Sequence, residues 1–479
     1  KVLLEDVKVD RIEIASARVS EGEFKGTQKV MHWAAEKGHL DKVEVLGFVD
    51  DRISLQWIAD AGGRVNNLLC KGSLKHVTEQ LRKTPEQHVE DIKKVIKNAE
   101  EMGIKVNIYL EDWSNGMRNS KEYVHFMISN LKDEKVERFM LPDTLGILDP
   151  DETYDFCKEM IEAFPDVDFD FHAHNDYDLA IANVFHAIKA GMRCIHTTIN
   201  GLGERAGNAP LSSVIATIKD HLEMKTNVNE SELNKVSKLV ESFSGIRIPT
   251  NKPLIGEFVF TQCSGIHADG DSKNNLYYND LLPERFGRTR QYALGKTSGK
   301  ANIKKNLENL GIELDAESLK KVTNRIIELA DDKETITSDD LPYIVADVLE
   351  NEFLEQKVKV INYSVNHTMG LRPVANVALE IDGKLYEEYS DGDGQFNAFA
   401  KAVRKIYHRL EKPLPILGDY VVTIPPGGRT DALVETVITW KGEREFKTKG
   451  LDSDQNAAAI KATIRMLNII ENEFNTELL

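Results

Sequence analysis

His172 and His174 are the residues whose type and spacing point most directly to chemistry. They lie in Asp168–Asn208, which reads DFDFHAHNDYDLAIANVFHAIKAGMRCIHTTINGLGERAGN. Residues i and i+2 of a strand point the same way, so both imidazoles can converge on one metal ion. Taken by itself, a His-x-His pair fits a surface role equally well. Here the pair closes an apolar-alternating run and adjoins Asn175 and Asp176. A helical segment follows at Leu179–Ala190, with Gly191 placed to stop it. A second strand, Cys194–Ile199, runs into the polar glycine-rich stretch Gly201–Asn208. Such loops after buried strands are where α/β proteins keep their chemistry, and the expectation is a metal site.

Other strands and helices must carry this unit. Val9–Ser16, Val43–Val49, Val65–Leu69, Val106–Glu111 and Val136–Leu141 are β-branched or alternating, and read as strands. The clearest helix between them is Thr84–Met102. Thr84 caps it, Pro85 suits its first turn and Gln87 completes a capping box. Val89, Ile92, Ile96 and Ala99 form its apolar stripe, and Gly103 ends it. Seven βα units precede Asn208, which predicts a parallel sheet one strand short of a closed barrel. Barrel active sites sit at the C-terminal strand ends. The polar residues expected there are Glu13, Asp50, Glu111 with Asp112, Asp143 with Thr144, and the His pair. Each such carboxylate reads equally well as a helix cap.

Hydrophobic residues make up 41% and charged residues 29% of the chain, as in ordinary globular domains. The formal net charge is −17 with no long basic run, which argues against nucleic acid or an anionic membrane as partner. Cys70, Cys157, Cys194 and Cys263 are scattered, as expected of reduced thiols in a cytoplasmic protein. The sequence shows no signal peptide and no membrane-spanning run. It begins at Lys1, and its first residues read as the end of a helix entering a strand, as in an N-terminally truncated chain.

Beyond Asn208 the pattern changes. Thr226–Glu352 is mostly helical and charged, interrupted by a loop-rich stretch, Gln262–Asp271, that carries His267 among small residues. The last segment holds a weak internal repeat: Gly383 falls on Gly442, and at the same offset Asn397 falls on Asn456 and Ala398 on Ala457. Each half reads as strands followed by a helix, Val374–Ile381 then Asn397–Leu410, and Leu433–Trp440 then Gln455–Ile469. Two ββα-like halves pack as a pseudo-twofold unit. Asp391–Gly394 and Pro425–Gly428 mark turns.

His-Ala-His-Asn-Asp at 172–176 and Gly-Leu-Gly-Glu-Arg-Ala-Gly-Asn at 201–208 resemble the signature motifs of the isopropylmalate, homocitrate and citramalate synthases. The string Ser264–Gly270 resembles the family's linker, and the C-terminal repeat its amino-acid-sensing domain. The resemblance implies an α/β fold: a (β/α)8 TIM-type barrel at 1–225, helical linker subdomains at 226–356, and a regulatory α+β domain at 357–479. The family's first strand carries Arg-Asp-Gly-x-Gln, whose Asp ligates metal and whose Arg is catalytic; the given sequence lacks it.

The resemblance also implies roles. A divalent metal (Mn, Zn or Mg) is held by His172 and His174 with support from Asn208. Glu111 orients the acceptor or a metal-bound water, and Thr144 binds the acceptor's carboxylate. His267 and Tyr277 handle the proton of the co-substrate acetyl-CoA, with Tyr278 the alternative tyrosine. His267 acts in such enzymes at a partner subunit's barrel, so a homodimer is implied. Asp269, Asn275 and Leu276 lie toward acetyl-CoA, and Phe396, Asn397 and Gln455 lie near a branched-chain amino acid effector, isoleucine or leucine. VDRIEIASARV from Val9 and YLEDWSNG from Tyr109 are closest in kind to citramalate synthases, where Leu46, Leu69 and Tyr109 would enclose the pyruvate methyl. Isopropylmalate synthase using 2-oxoisovalerate is the alternative reaction. A non-catalytic metal- or amino-acid-binding protein is the alternative of another class.

Overall fold

The strand-forming runs of the first half become one seven-stranded sheet. In order they are β1 (Ile12–Ser16), β2 (Val43–Phe48), β3 (Val65–Lys71), β4 (Lys105–Glu111), β5 (Val136–Asp143), β6 (Phe169–Ala173) and β7 (Cys194–His196). Spatial order follows chain order, and every neighbouring pair is parallel. The computed structural model describes residues 1–262, 265–272, 276–295, 299–309, 312, 314–331, 341–348, 357–423, 434–442 and 444–476. The chain divides into two units, one of Lys1–Thr261 with Tyr277–Gln291, the other of Gln262–Leu276 with Tyr292–Leu479.

Helices α1 (Glu21–Lys37), α2 (Ile53–Asp60), α3 (Pro85–Glu101), α4 (Trp113–Asn119), α5 (Lys121–Leu131), α6 (Pro150–Ala163) and α7 (Ala180–Ala190) alternate with the strands. Parallel strands need such crossovers, and the helices cover the sheet. The start of α3 follows from its residues: Thr84 Oγ1 accepts from the Gln87 N–H, and the Gln87 side chain accepts from the Thr84 N–H. Asp149, Pro150 and Glu152 build a second capping box at the start of α6. Val89, Ile92, Ile96 and Ala99 join the barrel core with Leu68, Ile108, Leu110 and Phe171.

Inside the sheet lies a polar layer that strand alternation does not announce. Asn67 Nδ2 donates to Glu13 at 2.7 Å and to Glu44 at 3.0 Å, and Asn107 Nδ2 donates to Asn67 Oδ1 at 2.7 Å. Arg138 donates to Asp170 at 2.7 Å and to Glu44 at 2.9 Å. Arg138 is on β5 and Glu44 on β2, strands that are not neighbours. Both side chains therefore enter the space that the curved sheet encloses, as a barrel requires. Glu13 is the second residue of β1 and belongs to this layer, so its expected place at a strand end is corrected. Burial raises its pKa, opposed by Asn67 and His196. Asp50 is a cap: its carboxylate accepts from the Ser54 N–H and Oγ, and pairs with Arg18.

His88 on α3 gives the fold a pH dependence. Its Nε2 accepts from the Lys71 N–H at 3.1 Å, which needs the neutral ring. Burial, and then nearby Lys83, lower its pKa to about 4. The unfolded chain takes this proton near pH 6.5, before the folded chain does. The contribution is full above about pH 6.5 and is lost as pH falls toward about 4, by roughly 3 kcal/mol at most. Urea midpoints measured at pH 7 and 4.5 should fall less in His88→Gln than in the wild type. Equal falls would remove His88 from the account.

Helices α8 (Leu211–His221) and α9 (Leu233–Ser244) follow the sheet, and in the second unit α10 (Gly265–Ser272) carries His267, where an irregular stretch was expected. The stretch holds no proline, and an internal glycine costs a helix only about 1 kcal/mol. The short strands β8 (Thr261–Gln262) and β9 (Gln291–Tyr292) and helices α11 (Lys300–Asn309), α12 (Ala316–Asp331) and α13 (Leu341–Val348) precede the C-terminal segment, which contains β10 (Val358–Asn366), β11 (Val374–Ile381), β12 (Lys384–Asp391) and α14 (Gln395–Arg409), then β13 (Ile416–Thr423), β14 (Val434–Lys441), β15 (Glu445–Asp452) and α15 (Gln455–Thr476). Each half forms an antiparallel three-stranded sheet, so each has one strand more than the expected ββα. Ala398, Val403 and Ile406 share one core with Ile438, Trp440 and Ile460. Cys263, Asn275 and the turn at Pro425–Gly428 lie outside the described residues.

Candidate active site

β6 delivers His172 and His174 as alternation demands. Their ring centroids are 5.0 Å apart, in an edge-on arrangement. His174 lies one residue beyond β6, in an antiparallel bridge with Asn208. The glycine-rich loop is clamped there: the Asn175 N–H reaches the Gly207 carbonyl at 2.9 Å, and the Ala209 N–H the Ala173 carbonyl at 3.1 Å. Gly207 has φ +84°, and a Cβ there would stand 1.9 Å from the Gly201 carbonyl oxygen, so only glycine fits. Arg205 fastens the loop from outside, donating to both Asp176 oxygens at 2.7 and 2.9 Å and to the Thr144 carbonyl at 2.8 Å. Its guanidinium also lies 3.2 Å from His174 Nδ1.

Burial, reinforced by His196 and His174, holds His172 well below the usual histidine pKa. Burial and then Arg205 lower His174. Both rings are thus neutral, the form that ligates metal. Asn208 Oδ1 is buried and unpartnered, while its Nδ2 donates to the Leu202 carbonyl. Two imidazoles with an orphaned amide oxygen fit a divalent ion of the first transition row.

The neighbouring strand ends complete the mouth. Tyr109 packs edge-on to His172 at 5.9 Å and lies 6.1 Å from His196. Leu69 is the register partner of Tyr109, and Leu46 stands on β2. Burial, then Glu13 and Glu111, push the Tyr109 phenol well above its usual range, so it stays protonated. Glu111 ends β4 and pairs with Lys71, the last residue of β3. Thr144 Oγ1 accepts from the Asp112 N–H at 2.8 Å, which leaves the hydroxyl proton to donate. Asp143 beside it is a cap, accepting from the Ile147 and Leu148 N–H groups.

His267, Asp269 and Leu276 belong to the second unit and Tyr277 to the first. His267 Nδ1 lies 3.2 Å from Gln262 Oε1. The Arg290 guanidinium covers the Tyr278 ring at 3.9 Å, whereas Tyr277 is 43% exposed.

This set of glycine loop, His pair and rim residues stands in a chain with close relatives. An (R)-citramalate synthase CimA of Methanocaldococcus jannaschii is 31% identical over 475 residues, 98% of this chain and 94% of that protein. The chain belongs to the citramalate and isopropylmalate synthase family. A 2-isopropylmalate synthase of the same organism is 31% identical, covering 98% of this chain and 89% of its own. Another, of Sulfurisphaera tokodaii, is 33% identical over 74% of this chain and 89% of its own. Residues 2–240 match the HMGL-like family, 254–334 the homocitrate synthase post-HMGL domain-like family, and 335–471 the LeuA allosteric (dimerisation) domain. The chain is therefore an enzyme of the synthase type. No helix among the described residues is long and apolar enough to cross a membrane.

Three participants escaped the sequence reading. Lys71 lies two residues beyond the predicted end of β3, where the alternation Asn67, Leu69, Lys71 continues inward. His196 shares the inner face of β7 with Cys194 and lies 3.3 Å from Asp170. Arg205 stood within a motif but without a role. Asp170, Cys194 and His196 offer ligand atoms within 4.8 Å of one another. Burial would raise Asp170, but His196 and Arg138 outweigh it and hold it low. Its charge is already answered by Arg138, and burial pushes the Cys194 thiol up to about 12. The trio thus reads as part of the polar layer.

Proposed function

We propose that the chain condenses acetyl-CoA with a 2-oxo acid, pyruvate in the first place, to give (R)-citramalate and coenzyme A. The observation that carries this reading is the pair of neutral imidazoles at the end of β6, where His174 bridges Asn208, whose amide oxygen is buried and unpartnered. A divalent ion bound by His172, His174 and Asn208 would supply Lewis-acid polarisation of the acceptor's ketone. The Thr144 hydroxyl donates to the acceptor's carboxylate, and Glu111 fixes the acceptor's orientation. Leu46, Leu69 and Tyr109 close around its methyl group. Gln262 Oε1 accepts a hydrogen bond from the Nδ1–H of His267, which puts the ring's lone pair on Nε2. In that tautomer His267 accepts a proton from the acetyl methyl, with Tyr277 as its partner. Asp269 and Leu276 lie toward acetyl-CoA in this reading. The enzyme acts in the cytoplasm as a homodimer.

Coenzyme A release by the full-length protein, with Mn, Zn or Mg supplied, tests the reading. Pyruvate should turn over faster than 2-oxoisovalerate. No release with either acid would reject the synthase chemistry. A preference for 2-oxoisovalerate, the second reading, would make it an isopropylmalate synthase.

The regulatory segment supports feedback control by isoleucine or leucine. A cavity of about 580 Å³ is lined by His367, Leu371, Arg372, Asp393 and Gln395. Phe396 stacks toward Tyr420 of the second half at 5.3 Å, and Asn456 of the second half donates to Gln395 at 2.9 Å. Asn397 Oδ1 accepts from the Asp393 N–H, and Gln455 begins α15. An effector that binds one state better changes the affinity for substrate by roughly 5- to 150-fold, equivalent to about 1–3 kcal/mol. Turnover that ignores saturating isoleucine and leucine alike would refute this regulation.

A further inference from the structure

The backbone of Lys71 is fixed from three sides. Its N–H donates to His88 Nε2 at 3.1 Å, and its carbonyl accepts from the Tyr123 O–H at 2.9 Å. His88 and Tyr123 are both buried. The next residue, Gly72, donates its N–H to the Glu111 carbonyl at 2.6 Å. A Cβ on Gly72 would stand 2.5 Å from the Leu110 carbonyl oxygen, so this approach of the chain to β4 needs glycine. The register then sets Lys71 opposite Glu111, and the ammonium contacts the carboxylate. The two side chains are only 12% and 27% exposed. Water screens this pair less than an ion pair at the open surface.

We propose that Lys71 is a positioning residue for Glu111. Its ammonium, carried on a backbone that His88 and Tyr123 anchor, keeps the carboxylate in one orientation at the barrel mouth. The inference rests on the placement of Glu111 in the active site. A carboxylate without this partner can swing through its own rotamers, and a misplacement of about 1 Å in a reacting assembly costs up to roughly 100-fold.

Steady-state kinetics of Lys71→Met, Lys71→Arg, Glu111→Gln and the Lys71→Met/Glu111→Gln double variant test it. Lys71→Met should lower kcat by roughly 10- to 100-fold with the KM for acetyl-CoA little changed. Lys71→Arg, which keeps the cation, should recover most of kcat. In the Glu111→Gln background Lys71→Met should add little, because both act through one carboxylate. A Lys71→Met enzyme with wild-type kcat, or losses that multiply fully in the double variant, would overturn the role. So would a Lys71→Arg enzyme as impaired as Lys71→Met. Full turnover by Glu111→Gln would overturn it differently, by removing Glu111 itself from the site.

Discussion

His172→Ala is expected to lose its divalent ion and, with it, turnover by roughly 100-fold or more. The ring it removes is half-buried, neutral and 5.0 Å from the His174 ring. Among the described residues, neither Tyr109 nor His196 replaces it: Tyr109 stays protonated, and His196 is engaged by Asp170. His174→Ala should do the same and also loosen the loop, because Arg205 and the bridge to Asn208 both meet at that residue. Elemental analysis after dialysis reads the metal directly, and calorimetric titration with Mn or Zn gives the affinity. Asp50→Asn is the control, since Asp50 caps α2 and should leave metal content unchanged. Wild-type metal content in either histidine variant would end the reading of the pair as ligands.

Pyruvate should exceed 2-oxoisovalerate in kcat/KM by roughly 30-fold or more, because each surplus carbon in a filled pocket costs about 1–3 kcal/mol. On the pyruvate reading proposed above, Tyr109 would be the deciding side chain. Its ring lies beside His172, and Leu69 is its register neighbour, so there is little depth for an isopropyl group. Tyr109→Ala should narrow the preference by about 10-fold or more while lowering turnover of pyruvate, whose methyl would then sit loosely. The ratio of the two kcat/KM values is the readout. A ratio unmoved by Tyr109→Ala would leave the reaction standing and remove this pocket.

Much of this was legible because strands alternate with a period of two. The same periodicity that puts His172 and His174 on one face puts Leu69 and Lys71 on one face. Lys71 was missed because β3 runs two residues further than its β-branched letters suggest. The capping box at Thr84 was readable because all its partners lie within one turn. Asp50 and Asp143 were ambiguous, since a strand-end carboxylate and a helix cap use the same residues, and only hydrogen-bond partners separate them. The pairing of Arg138 with Glu44 joins strands far apart in sequence, and no local pattern carries that information. The third strand in the first regulatory half escaped because β10 and β12 are largely exposed, which blurs their alternation.

The polar layer within the barrel has a consequence for how this chain can vary. Glu13, Glu44, Asn67, Asn107, Arg138 and Asp170 stand on six successive strands and answer one another's hydrogen bonds and charges. Replacing Arg138 by an apolar residue would strand two carboxylates together, and losing one partner of a buried pair costs about 3–5 kcal/mol. Replacing the whole set with leucines and valines could be neutral. Between those two sequences lies a valley that single substitutions cross poorly. Lineages that share this barrel should therefore keep the six positions polar as a block or exchange them as a block, and a library that randomises one strand at a time will sample only the valley.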